Sequence, residues 1–149
     1  VLTIYNDAVE HTTATYDLAP VSLQERLDWY DHKVAGGWPV LVAELDGRIV
    51  GFSTYGPFRP KPGYDHTVEH SVYVAADVRG GGLGSALLVP LVDHARAAGR
   101  HVMIGGIDAE NTGSIAFHRR HGFVETGRIR EVGRKFDRWL DVAFLQLTL

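Results

Sequence analysis

The spacing of apolar positions changes several times along the chain, and each change marks an element. Residues 1–9 (VLTIYNDAV) carry a weak helical spacing, and residues 11–20 (HTTATYDLAP) carry none and read as a loop. Ser22 followed by Glu25 makes a capping box. It opens a helix through about His32, with Leu23, Leu27 and Tyr30 on one face. The run Gly36-Gly37-Trp38-Pro39 breaks the chain. Residues 39–56 then alternate about Asp46-Gly47, which predicts a hairpin with a tight turn. Residues 56–66 (GPFRPKPGYDH) hold three prolines and two glycines, so they form a shaped loop.

Residues 67–75 alternate as a strand. A period of two puts Glu69, Ser71 and Tyr73 on one face, and Val68, His70, Val72 and Val74 on the other. A helix follows from about Gly82 to Ala98, with Pro90 inside it as an expected kink or opening of the backbone. Then come a strand at 101–107, a short helix at 111–121 and a strand at 122–132. A basic loop at 133–138 (GRKFDR) precedes a closing strand at 139–149. This order predicts a mixed α/β fold around one twisted sheet with flanking helices.

Composition narrows the function. A chain of 149 residues, 45% hydrophobic, fits a single domain with a sizeable core over 1–149. A net charge of -3 gives no general attraction to nucleic acid or to an anionic membrane, so any anion site must be local. There is no cysteine, which excludes disulfides and thiolate chemistry and suits a cytoplasmic protein. No apolar run approaches the length of a membrane span. The histidines fall without a ligand-like spacing, and no metal site is expected. Trp29, Trp38 and Trp139 read as core or interface aromatics.

The stretch DVRGGGLGSALL, residues 77–88, bears most directly on function. A tight turn is the plainest reading of three glycines in a row. The Rossmann spacing fails, because Ser85 or Leu87 stands where the last glycine belongs. A Walker loop fails for want of a lysine between Lys61 and Lys135. Yet the segment joins a strand to an amphipathic helix. Gly80, Gly81, Gly82 and Gly84 leave backbone N–H groups uncovered where the helix dipole is positive. This suits a diphosphate, with Arg79 as a side-chain contact.

The run Arg79-Gly80-Gly81-Gly82-Leu83-Gly84 resembles the acetyl-CoA pyrophosphate loop of the GCN5-related N-acetyltransferases, R/Q-x-x-G-x-G/A. The segment DAENTGSIAFHRRHGF is similar to a second stretch of that family. Nearly the whole chain, and EVGRKFDRWLD above all, looks like the phosphinothricin and methionine sulfoximine or sulfone acetyltransferases. The resemblance implies a mostly antiparallel sheet, a further strand upstream of Val1, and acetyl-CoA as acetyl donor. It implies a gap between the strands at 67–75 and 101–107. Val72, Tyr73 and Val74 would face the pantetheine arm there, with Arg79 to Ser85 on the pyrophosphate and Asn111 and Ser114 also on the cofactor. From the residues alone, Asn111 fits a helix cap as well, and Ser114 a surface position. His118 stands where the family usually has a tyrosine, often assigned as the acid that protonates the departing thiolate. A histidine fits that task or a packing role.

Acetyl transfer needs a neutral amine, a polarised thioester and a route for the proton. Glu69 sits mid-strand, where partial burial makes a carboxylate a better base; a structural ion pair is the competing reading. The resemblance makes Glu69 the general base. Arg59 and Lys61 in the proline loop, with Tyr64, Phe58 and Thr13, are the expected walls of a site for a small zwitterionic acceptor; from the residues alone, a solvated basic loop fits equally well. The same resemblance implies a homodimer, with Lys135 or Phe136 contributing to the partner's wall. The other readings are the same fold acting on another amino acid, a polyamine or a protein N-terminus, or a non-catalytic acetyl-CoA-binding module. Arg59 and Lys61 argue against a polyamine, and Glu69 against a module without chemistry.

Overall fold

Asp46 and Gly47 both adopt positive φ, 50° and 76°. That is the backbone a two-residue hairpin needs, and it joins β1 (Val40–Leu45) to β2 (Arg48–Pro57) in antiparallel register. This computed structural model describes residues 1–149. The weakly periodic start forms α1 (Leu2–His11), and the capping box opens α2 (Leu23–Ala35). Both halves of the box are made: Ser22 Oγ accepts from Glu25 N–H at 3.2 Å, and Glu25 accepts from Ser22 N–H at 2.7 Å.

The remaining elements are β3 (Thr67–Val74), α3 (Leu83–Ala97), β4 (Val102–Asp108), α4 (Thr112–Arg120), β5 (Val124–Lys135) and β6 (Arg138–Thr148). Six strands form one sheet in the order β1-β2-β3-β4-β6-β5, antiparallel except for β3 against β4. Helices α3 and α4 cover the face carrying Tyr55, Val68 and His70. Helix α1 lies on the opposite face, where Tyr5 meets Tyr73 edge to face at 5.5 Å. Leu87, Leu88, Leu91, Val92 and Ala95 of α3 are buried, and several join Val68, Met103, Phe123 and Leu145 in the core. Each large aliphatic side chain removed from water this way contributes roughly 2 kcal/mol. Pro90 does not interrupt α3. Both Pro90 and Ala86, whose carbonyl loses its partner to the proline ring, lie on the exposed face where water can satisfy it.

The expected loop at 133–138 is instead the tip of a hairpin. β5 continues to Lys135, and Phe136 and Asp137 alone make the turn at φ 52° and 56°. Phe136 gives no sequence signal for such a turn. The long β5–β6 ladder enforces it.

β5 also carries a bulge between Ile129 and Gly133, with Glu131 at φ 51°. At Gly133 a Cβ would run into the ring of Tyr16, so glycine lets the α1–α2 loop lie flat on the strand. Tyr16 Oη donates to Asp141 O at 3.2 Å, and Lys135 Nζ donates to Thr15 O at 2.8 Å. Lys135 is therefore buried and turned toward its own chain, while Phe136 stays about half exposed. The expected role of Lys135 at a partner's wall does not fit that position.

Candidate active site

The sheet opens where its one parallel pair ends. β3 and β4 are in register only from Thr67↔Val102 to Glu69↔Ile104, although both strands run on. Register against β2 decides what the free part of β3 offers. Ala75 N–H donates to Val50 O, and Phe58 N–H to Thr67 O. Alternation in an antiparallel ladder then turns the backbone groups of Ser71 and Tyr73 toward β2, and those of Val72 and Val74 into the gap. Both valines thus present backbone to the gap, whereas the backbone of Tyr73 faces β2 and its ring stacks on Phe52 at 5.0 Å. Arg79 Nε donates to Val74 O at 3.1 Å, which fixes the arginine at the gap's end.

The gap opens into a cavity of about 690 Å3. Its lining brings together Val72, Tyr73, Val74, Arg79, Gly80, Gly82, Leu83, Gly84, Ser85, Asn111, Ser114 and His118, all expected at the cofactor or catalytic site. Gly81 belongs to the same turn but lies outside the wall. Gly80 and Gly82 take φ of 88° and 82°, which is why glycine is needed there. The first helical bond of α3 runs from Ala86 N–H to Gly82 O, and no side chain caps the helix. The N–H groups of Leu83, Gly84 and Ser85 therefore have no partner within the helix, a natural place for phosphate oxygens. Gly84 also allows close packing of α3 on α4, since a Cβ there would sit 3.2 Å from the Phe117 ring. Asn111 does cap α4, accepting from Ser114 N–H at 3.0 Å, and lines the cavity as well.

Several lining residues were not expected: Ile4, Ala8, Thr12 and Ala14 on one side, Gly113, Phe117 and Arg120 on the other. The four-residue step of Ile4, Ala8 and Thr12, and the Ser114, Phe117, His118 face of α4, are helical spacings that hold the signal for them.

Glu69 occupies the opposite sheet face from His70. It makes no ion pair or hydrogen bond within the chain, so the competing structural-pair reading finds no support. Partial burial pushes its carboxyl above the usual range, and the charge of Arg59 opposes that shift. Its Oε1 stands over Gly106, where a Cβ would lie 3.2 Å away.

Phe58 and Tyr64 pack edge to face at 5.8 Å and line a second cavity of about 430 Å3 with Thr67, Ile104, Arg128 and Phe144. Arg59 stacks on Phe58 at 4.4 Å, and neither Arg59 nor Lys61 lines that cavity. The Thr13 hydroxyl donates to buried Asp108, tying the α1–α2 loop to the end of β4, and lines neither cavity.

His118 is buried, with both ring nitrogens engaged. Nδ1 lies 2.7 Å from Ser114 O, and Nε2 lies 3.0 Å from Nε2 of His70. His70, absent from the expected site residues, places Nδ1 2.8 Å from Ile104 O. Its side chain thus meets a β4 carbonyl just where the backbone pairing stops.

Known proteins carry the same architecture. The chain is 49% identical over 150 residues to an L-methionine sulfoximine/L-methionine sulfone acetyltransferase of Pseudomonas aeruginosa, covering 100% of this chain and 87% of that protein. A ribosomal-protein-alanine N-acetyltransferase structure from Brucella melitensis superposes with a TM-score of 0.98 at 51% identity, covering 99% of this chain and 91% of that one. A phosphinothricin acetyltransferase from Sinorhizobium meliloti, solved with acetyl-CoA, gives 0.96 at 36% identity, covering 99% and 80%. The model of the acetyltransferase (GNAT) family matches residues 2–123, and the chain belongs to that family.

Proposed function

We propose that this protein moves the acetyl group of acetyl-CoA onto the α-amino group of a small amino-acid analogue such as phosphinothricin, methionine sulfoximine or methionine sulfone. The amine attacks the thioester directly. The observation that carries this reading is the end of β3–β4 pairing at Glu69. An unpaired, partly buried carboxylate stands there, next to a gap lined by the backbone of Val72 and Val74.

In this reading Glu69 removes a proton from the incoming ammonium, directly or through water. A raised carboxyl value suits that task near neutral pH. N–H groups facing the gap take up the charge that develops on the thioester oxygen. The unpaired amides of Leu83, Gly84 and Ser85, with Arg79, hold the diphosphate of the donor. In this reading Phe58, Arg59, Lys61 and Tyr64 form the acceptor side, and the two cations suit an acceptor carrying an extra oxyanion. The exposed apolar side chains Val124, Ile129, Val132 and Trp139 along β5 and β6 favour a homodimer. No helix is long and apolar enough to cross a membrane, and the protein is assigned to the cytoplasm on its cysteine-free composition.

The test is acetyl-CoA-dependent thiol release with the three analogues, ordinary amino acids, and a peptide with an N-terminal alanine. Turnover concentrated on the analogues is expected. Turnover confined to the peptide would transfer the reading to protein N-termini, the activity for which the Brucella relative is named. Tight acetyl-CoA binding with no acetylated amine would leave a binding module.

A further inference from the structure

His70 and His118 form a hydrogen-bonded chain whose protons can be counted. Its links are Ile104 O to His70 Nδ1, His70 Nε2 to His118 Nε2, and His118 Nδ1 to Ser114 O. Carbonyl oxygens only accept, so each Nδ1 carries a hydrogen. The Nε2–Nε2 contact needs one hydrogen as well. Three hydrogens on two rings is one more than two neutral imidazoles hold. A fourth would set two N–H groups against each other. The arrangement therefore has room for one extra proton and no more.

We propose that His70 and His118 act as one acid, holding a single extra proton in the Nε2–Nε2 bridge and releasing one through Ser114 to the departing thiolate of acetyl-CoA. This rests on the acetyltransferase reading above. Ser114 and His118 both line the cofactor cavity, and Ser114 Oγ lies 3.4 Å from His118 Nδ1.

As the tetrahedral intermediate collapses, the C–S bond breaks and its electron pair goes to sulfur. Sulfur takes the Ser114 hydroxyl proton, and Ser114 Oγ takes the Nδ1 proton of His118. The bridging proton stays on His118 Nε2 and donates to His70. The neutral pair is then satisfied in a second way, with His118 Nδ1 accepting from the restored Ser114 hydroxyl. The acceptor ammonium gives up two protons in all, and both pass to solvent through Glu69. Solvent returns one of them to the pair, so one proton ends on sulfur and one is released. His70 touches no reacting atom and is a positioning residue. It supplies the partner that lets His118 hold the extra proton.

Burial lowers both rings. The charge of His118 adds to the fall of His70 to about 3, whereas the Ser114 carbonyl draws His118 back up, so a second extra proton is resisted more than a first. His121 is the only other titratable group acting on the pair, and no carboxylate does. Phe117 and Phe123 pack against the rings at 5.1–5.2 Å.

Long-range proton–nitrogen NMR of the histidine-labelled full chain, without ligand, tests the pair on either side of the ordinary value of about 6.5. The two Nε2 signals are expected to move together in one step worth one proton, with His70 Nδ1 protonated throughout. Two independent steps, or rings that stay neutral across the range, overturn the proposal. The same midpoint should appear as the alkaline limb of kcat at saturating acetyl-CoA. Ser114→Ala should lower kcat about a hundredfold while acetyl-CoA still binds. His70→Phe should move the limb to lower pH, and His70→Gln, which keeps a donor to Ile104, should restore part of kcat. An unchanged kcat profile in both Ser114→Ala and His70→Phe also overturns it. Should His70→Phe not fold, the wild-type titration decides alone. Should no amine be acetylated, the acetyltransferase reading fails while the titration still judges the pair.

Discussion

Gly105 and Gly106 are neighbours on β4 that face opposite sides of the sheet, and alanine at each should fail differently. At Gly105 a Cβ would lie 2.9 Å from His70 Cε1 and 3.7 Å from His118 Cδ2 and Nε2. The histidines are buried and bonded at both ends, so they have no room to give. Overpacking a closed core costs about 1–3 kcal/mol, and breaking a buried hydrogen bond about 1–3 kcal/mol more. For a chain of 149 residues, a sum of roughly 2–6 kcal/mol lowers Tm by about 4–24 °C.

At Gly106 the nearest atom is Glu69 Oε1 at 3.2 Å, the free end of a flexible side chain, with Phe144 next at 3.7 Å. The carboxylate moves by a few tenths of an ångström, and alanine in a strand recovers about 0.5–1 kcal/mol of chain entropy. Stability should hold, while displacing the Glu69 carboxylate should lower kcat by about tenfold if it is the proposed base. Thermal unfolding read beside acetyl-CoA-dependent thiol release separates the two. Equal loss of Tm in both variants, or full kcat in Gly106→Ala, would refute the placement of the histidine pair and of Glu69 on opposite faces.

Other outcomes follow from the same geometry. Glu69→Gln should lower kcat by about 10²–10⁴ and abolish the acid limb of the pH–rate profile. Arg59→Ala should move that limb to higher pH, because Arg59 opposes the burial that raises Glu69; a fixed limb contradicts the assignment. Arg79→Ala should raise KM for acetyl-CoA about tenfold or more with kcat little changed, since its Nε holds Val74 O at the gap's end. In acid, the unfolded chain protonates His70 near the ordinary value of about 6.5, whereas the native ring resists until about 3. The stability linked to His70 is therefore full above the first value and falls by about 1.4 kcal/mol per pH unit toward the second. Urea unfolding of wild type and His70→Gln across that range reads it, and parallel curves would be the contrary result.

Most elements were legible from spacing alone. The Ser22–Glu25 box, the Asp46-Gly47 turn and the alternation of residues 67–75 are local signals, and the structure repeats each with boundaries shifted by a few residues. The glycine turn before α3 was legible for the same reason: positive φ and an uncapped helix start belong to a few adjacent residues. Where a signal depended on a partner, it misled or was silent. The basic stretch 133–138 looked like a loop because its turn is imposed by the long ladder on either side. Lys135 looked like an outward cation until Thr15 O, 120 positions away, proved to hold it.

The sequence by itself determined most of the helices and strands, which face of β3 carries Glu69, and which glycines leave backbone N–H groups uncovered before α3. Only the tertiary structure decided that β3 and β4 part company after Glu69. It alone brought His70 to His118 across 48 positions, and it alone left Glu69 without an ion-pair partner. The physical reason is range. Backbone geometry and period are settled by neighbours along the chain, but burial, proton sharing and an open gap depend on what a distant segment places opposite, and no local pattern records that.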